Sequence, residues 1–396
     1  MIRAGVGYSI TLNPRTAAIE ATRAALHQAG LRTADGAICF ASSRHGAAYP
    51  LLVRSVGETA GTAEIVGCGS IGVIANGREF ESGPSVAVLV FGGGSLNASR
   101  FFVPQLRRRS HEAAQELAAS VRPRLGANNL LCVFADSYNL EAEPFIATLR
   151  AELPGVAIVG GGATEDGAIG ETFQFCGDVV SSNSLAAMLL AGDFDVNLGA
   201  AQACAPIGPV HRVTRVRDNI ILELDGRGAY EVFAEAAGPL IADLTRAMGF
   251  IFLAVPIAAD ADRLERGNFV VRNVLGASPE HGAIAVGHRP QAGDLIGFAL
   301  RDGERSRVEL KAMLEDVDSR GTGAHAFALY FDCVSRGTGL YSLPDHDAAY
   351  IGQQLGSLPV AGFFTGFEFG PLGGVSGLLQ YCGVLALVSE RKGSET

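Results

Sequence analysis

Apolar residues recur along this chain in short blocks, never in one long run. Ala37-Ile38-Cys39-Phe40, Leu130-Leu131-Cys132-Val133-Phe134 and Phe327-Ala328-Leu329-Tyr330-Phe331 have the length of buried strands. Each block ends in small, polar or charged residues: Ser42-Ser43, Asp136-Ser137 and Asp332-Cys333. A helical pattern follows, clearest at 143–153 and 347–355. A second apolar block then ends in glycine, as Ile65-Val66-Gly67, Ile158-Val159-Gly160 and Val360-Ala361-Gly362. Small-residue loops follow the glycines, and further apolar runs at 86–91, 185–190 and 383–388 close the segments.

Strand, helix and strand in that order imply a parallel pair with a right-handed crossover. The closing run, reached through a short loop, is expected to add antiparallel. The fold class read from this pattern is α/β, with mixed sheets faced by helices. A strand–helix–strand–loop–strand unit is used three times, with Gly67, Gly160 and Gly362 at equivalent strand ends. Pro206, Gly208 and Pro209 mark a linker at 203–209, since both residue types interrupt regular structure. The expected domains are therefore 1–205 and 206–396. Beyond the linker, 210–217 and 219–224 alternate as strands, 228–237 and 239–248 read as helices, and 305–317 is a polar amphipathic helix.

Composition narrows the function classes. The chain has 396 residues, 48% hydrophobic, which suits two domains. Mean hydropathy is +0.25, yet no stretch supplies the roughly 18 uncharged apolar residues of a spanning helix. No basic-then-apolar leader opens the sequence, so no signal peptide is expected. The seven cysteines stand singly, without a CxxC pair, which points to reduced thiols and a cytoplasmic location. Net charge is −10, and Arg107-Arg108-Arg109 is the one basic cluster. Nucleic acid and anionic membranes are therefore not expected partners.

The run Ile65-Val66-Gly67-Cys68-x-Ser70-x-Gly72-Val73-Ile74 resembles the N-terminal domain of the FIST family. Arg215-Val216-x-x-Asn219-x-Ile221-x-Glu223-Leu224-Asp225-Gly226 is similar to the hairpin that opens its C-terminal domain. Phe331-Asp332-Cys333-x-x-Arg336-Gly337, Pro344-Asp345-His346 and Val360-x-Gly362-Phe363-Phe364-x-x-x-Glu368-x-Gly370-Pro371 resemble its end. The resemblance implies intracellular sensing of a small ligand, amino acids among the suggestions, and in one bacterial subset haem-based sensing of nitric oxide. No kinase, receiver or F-box segment is recognised, so output is expected through a partner such as a histidine kinase. Phe367 departs from the family's small residue before the glutamate, which puts that pocket's shape in question.

Candidate chemistry gathers at the strand ends, where α/β proteins place ligands. The ligand-binding set is Ser42, Ser43, Gly67, Cys68, Ser70, Cys333, Arg336 and Glu368. Arg336 offers a fork for a carboxylate, Glu368 a partner for an ammonium, and Phe363, Phe364 and Phe367 a wall. A structural Arg336–Glu368 pair is the plain alternative. A hydrolase would need Cys333 or a nearby serine with a base, His346 being nearest in sequence, and no catalytic residue is assigned. The gly-rich loops match neither a P-loop nor a dinucleotide fingerprint. His111, His211, His281, His288 and His325 form no zinc motif, so no metal site is expected, and nothing singles out one axial histidine for haem.

Overall fold

The computed structural model describes residues 1–258, 261, 263–265, 267–321 and 323–391. The chain is mixed α/β and divides into two compact units. One comprises 1–201, 309–378 and 382–391 of the described residues; the other comprises 202–308 with 379–381.

The first unit holds three six-stranded sheets, each built around one parallel pair. The pairs are Gly36–Ser42 with Ile65–Ser70, Asn128–Asp136 with Ala157–Ala163, and His325–Cys333 with Val360–Thr365. Helices Tyr49–Ala60, Ala142–Glu152 and His346–Leu355 lie between the paired strands in sequence. Val86–Gly92, Ser184–Gly192 and Cys382–Glu390 each add antiparallel on the other side of the first strand. Gly67, Gly160 and Gly362 stand opposite Cys39, Val133 and Tyr330. A Cβ at these glycines would lie 1.7, 2.0 and 1.7 Å from the facing carbonyl oxygens, so only glycine lets the strands approach this closely.

The small-residue loops are hairpins that change sheets. Val73–Ala75 and Arg78–Phe80 join the sheet of His325–Cys333, with Ala75 facing Ala361. Gln174–Cys176 and Val179–Ser181 join the sheet of Gly36–Ser42. Glu368–Leu372 and Val375–Leu379 join the sheet of Asn128–Asp136. Each hairpin therefore leaves its own strands for another sheet, and the exchange links all three.

Strand alternation gives each sheet two faces. Ala37, Cys39 and Ala41 pack under helices Pro14–Ala29 and Tyr49–Ala60. Leu131, Val133 and Ala135 pack under Ser110–Val121 and Ala142–Glu152. Ala328 and Tyr330 pack with His346–Leu355 and the C-terminal turns of Gly303–Ser319. The inward faces meet through Phe40, Phe134, Phe331 and Phe363. These four rings form a plug in which every pair of centroids lies between 4.7 and 6.5 Å apart.

The second unit is an antiparallel sheet with helices Ala229–Ala237 and Leu244–Phe250 over a core that includes Phe233 and Phe298. The expected linker is part of a continuous strand, Cys204–Arg217. Pro206 faces Ala299 within the ladder, and Gly208-Pro209 falls in a register shift between Ile207 and His211. The breaker residues produce a bulge rather than a break.

Candidate functional site

Three inward-facing strands end in the pattern phenylalanine, one residue, then a polar group: Phe40 and Ser42, Phe134 and Asp136, Phe331 and Cys333. A period of two puts both members of each pair on the inward face. Directly beside them in register stand Ser70, Ala163 and Thr365. A polar layer therefore rests on the phenylalanine plug, and Ser42, Ser70, Asp136 and Thr365 are fully buried.

Three chain segments interlock here. Ser70 Oγ lies 2.7 Å from the Gly72 carbonyl, 2.9 Å from the Phe364 carbonyl and 3.0 Å from Thr164 Oγ1. Thr164 donates to the same Phe364 carbonyl at 2.6 Å. Ser42 Oγ accepts the Ser85 N–H at 2.9 Å. Cys68 faces Phe40 in register and is buried, and burial drives its thiol pKa well upward.

Glu368 faces Gly161, whose register partner is Phe134, and so points inward as well. It is fully buried. Thr365 Oγ1 lies 2.5 Å from Glu368 Oε1, the Cys382 N–H donates to Oε2 at 3.3 Å, and the Cys333 thiol also bonds to the carboxyl. Burial outweighs these bonds and pushes the Glu368 pKa up to about 8.

Arg336 lies on the outward face of the His325–Cys333 sheet, with Tyr330 and Asp332. The guanidinium is 1% exposed and already committed. It lies 2.7 Å from Asp332 Oδ1 and 2.6 Å from Asp347 Oδ2, and donates to Tyr341 Oη at 2.7 Å and the Ala201 carbonyl at 3.3 Å. Burial alone would favour neutral Asp347, but Arg336 and bonds from His346 and Tyr330 hold it ionised, below the usual carboxylate range. Burial and the neighbouring Asp347 charge push the Asp332 carboxyl well above the ordinary carboxylate range, against the pull of Arg336. Glu79 is also pushed up, to about 7, by burial and Asp347; its Oε1 accepts the Ala348 N–H at 2.8 Å. His346 stacks on Tyr341 at 3.7 Å with Nδ1 3.0 Å from Asp347. This outward cluster fastens His346–Leu355 to its strand.

Of the eight sequence candidates, Ser42, Cys68, Ser70, Cys333 and Glu368 share the inward face. Gly67 serves strand approach, and Arg336 belongs to the outward ion pair. Ser43 is half-buried and starts the short helix Ser43–Ala48. In that helix His45 is buried, burial lowers its pKa, and it has no partner at Nε2 among the described residues. The exposed segment 165–171 lies over this turn: Arg44 reaches Asp166 at 3.8 Å, and Ile169 packs against Gly46. Of the expected aromatic wall only Phe363 faces inward; Phe364 and Phe367 pack under helices. Sequence reasoning missed Thr164, Thr365, Asp332 and Asp347. Asp332 carried a readable signal, a charge inside an apolar strand that requires a buried partner.

No helix among the described residues is long and apolar enough to cross a membrane, and no group of their His, Cys, Asp or Glu side chains could hold a metal ion. A groove of about 740 Å³ opens at the start of strand Ala157–Ala163, near Leu153, Val156, Val196, Leu198 and Val375, away from the polar layer.

Comparison with known proteins identifies the lineage. The FIST N domain matches residues 35–227 and the FIST C domain residues 229–371. The uncharacterized protein Rv0628c of Mycobacterium tuberculosis (strain ATCC 25618 / H37Rv) is 30% identical over 395 residues, 98% of this chain and 99% of its own. The uncharacterized protein Mb0898c of Mycobacterium bovis is 30% identical over 388 residues, 98% of each chain. A solved cyanuric acid hydrolase from A. caulinodans aligns over 48% of this chain and 70% of its own, at 10% identity and a TM-score of 0.28, too distant a likeness to carry an argument. With both domains matched across nearly its whole length, the chain belongs to the FIST family, whose domains are generally regarded as small-ligand sensors in signalling.

Proposed function

We propose that this chain is a cytoplasmic small-ligand sensor whose ligand engages the inward polar layer around Glu368. The observation that carries the reading is Glu368 itself, a fully buried carboxyl with a pKa raised to about 8 among a thiol, a threonine hydroxyl and a backbone N–H. Such a group suits an ammonium: pairing with a cation would release its proton and leave a carboxylate in place. The ligand class is an amine-bearing small polar metabolite, an amino acid being the simplest. Arg336 is committed to Asp347 and Asp332, so the recognised group is the amine and not the carboxylate. The signal passes to a partner protein such as a histidine kinase.

A hydrolase is less well supported. The acid–base group bonded to Cys333 is Glu368, which holds its proton below about pH 8, while His346 lies on the other face against Asp347.

Thermal shift against amino acids, nucleotides and haem tests the proposal. A ligand at 100 times its Kd stabilises the native state by about 2.7 kcal/mol. The expected result is a rise in Tm with at least one amine-bearing ligand, lost in Glu368→Gln. A Soret band in the purified protein, or shifts confined to compounds without an amine, would overturn it.

A further inference from the structure

We infer that Cys333 and Cys382 form a redox-active cross-strand thiol pair, oxidised to a disulfide by small hydroperoxides. The register between His325–Cys333 and Cys382–Glu390 pairs Phe331 with Val384 and Asp332 with Gly383. Carried one residue further, it sets Cys333 opposite Cys382, the last residue of one strand against the first of the other. Both side chains fall on the inward face, since Tyr330 and Leu385 mark the outward one. Directly opposed residues on antiparallel strands have Cα atoms about 4.5–5.5 Å apart. A disulfide spans about 4.4–6.8 Å, so a pair continuing this register falls within its reach. Neither residue is in a disulfide in this structure.

Glu368 supplies the second observation. Its carboxyl bonds to the Cys333 thiol and accepts the Cys382 backbone N–H, so one acid touches both residues. The Cys333 thiol therefore has a carboxyl in hydrogen-bond reach to take its proton. Cys39 and Cys132 lack such a neighbour among the causes of their shifts; burial alone drives their thiols up to about 12. Cys333 and Cys382 are 4% and 2% exposed, which restricts the oxidant to a small molecule.

The chemistry balances in two steps. Above about pH 8, where Glu368 is ionised, Cys333 Sγ yields its proton to it, and the thiolate attacks one peroxide oxygen. The O–O bond breaks, an alcohol or water leaves with the proton returned by Glu368, and Cys333 becomes a sulfenic acid. The Cys382 thiol then attacks Cys333 Sγ, the S–S bond forms, and the sulfenic oxygen leaves as water. Two thiols are oxidised and one hydroperoxide is reduced; a dithiol reverses the change. The bridge removes the thiol from Glu368 and ties two strand ends together beside the polar layer.

Peptide mapping of the wild-type protein after hydrogen peroxide, with remaining thiols alkylated, tests this. One cross-linked species joining Cys333 to Cys382 is expected, with the other five cysteines recovered alkylated. In Cys382→Ala, Cys333 should accumulate as a sulfenic acid that dimedone traps. In Glu368→Gln at about pH 8.5, where the wild-type carboxyl is ionised, disulfide formation should slow about tenfold or more. Recovery of both cysteines as alkylated thiols in the wild type, or Cys333 driven to sulfinic acid while Cys382 stays reduced, would overturn the pair. An unchanged rate in Glu368→Gln would overturn the proton transfer.

Discussion

Replacing Glu368 with glutamine probes the protonation state that the polar layer imposes. Thr365 has one hydroxyl proton and two acceptors in reach, the Asp332 carbonyl at 3.0 Å and Glu368 Oε1 at 2.5 Å. A protonated Glu368 resolves the conflict by donating to Thr365, which donates to Asp332. A glutamine amide donates in the same way, so Glu368→Gln preserves the bonds and deletes only the titration. In the unfolded chain this carboxyl loses its proton near 4.5; in the fold it keeps it to about 8. Between those values the native state binds one more proton, so stability falls as pH rises. The contribution is fully present below 4.5, is lost by about pH 8, and is on the order of 5 kcal/mol, at about 1.4 kcal/mol per pH unit.

Other groups titrate in the same interval, among them Glu79 with a pKa of about 7. They are common to both proteins and cancel in the difference. Urea unfolding of wild type and variant at about pH 5 and about pH 8.5 gives that difference directly. The variant should gain on the wild type by about 4 kcal/mol over the interval. Parallel stability curves would refute the reasoning, because Glu368 would then be ionised in the fold throughout.

Three further outcomes follow from the packing. Arg336→Ala strands the buried Asp347 charge and should cost about 3–5 kcal/mol, read as a large drop in Tm; an unchanged Tm would mean the outward ion pair holds nothing together. Gly362→Ala places a Cβ 1.7 Å from the Tyr330 carbonyl oxygen and should destabilise by about 3 kcal/mol in urea unfolding, whereas a neutral result would contradict the tight strand approach. Phe134→Ala opens a hole in the plug and should cost about 3–5 kcal/mol by the same measurement, and a loss under about 1 kcal/mol would show that the rings do not close the centre.

Much of the fold was legible because its strands are short, apolar and bounded by glycine or polar residues. The sheet exchange was not. Val73–Ala75 has three residues, too few to show alternation, and its partner Ala361 lies far along the chain. Only tertiary packing decides which sheet accepts such a hairpin. The same limit turned 203–209 from an expected linker into a bulged strand, since local breakers do not reveal what the rest of the ladder supports. Arg336 was placed with Glu368 by proximity to a strand end, although alternation already separated them. Tyr330 and Asp332 share one face, Cys333 takes the other, and an arginine four residues after Asp332 has an acid at hand.

The strand ends constrain the ligand more tightly than any single residue. Within two residues each inward face passes from phenylalanine to a polar side chain, a rise of about 6–7 Å. That layer is too deep for water to satisfy its groups, so they satisfy one another. Ser42 takes the Ser85 N–H, and Asp136 takes the N–H groups of Tyr138, Asn139 and Asn183 at 2.8, 3.2 and 2.7 Å. Glu368 bonds to Thr365 and takes the Cys382 N–H. A molecule entering here must break some of these bonds and replace each one. An apolar guest would leave buried donors and acceptors unpaired at about 1–3 kcal/mol apiece. A guest carrying both donors and acceptors would not, and one that also carries positive charge would turn the costly acid at Glu368 into a favourable ion pair. On the proposed reading, the chemistry that makes the layer self-satisfied therefore selects small, polar, amine-bearing ligands over apolar ones.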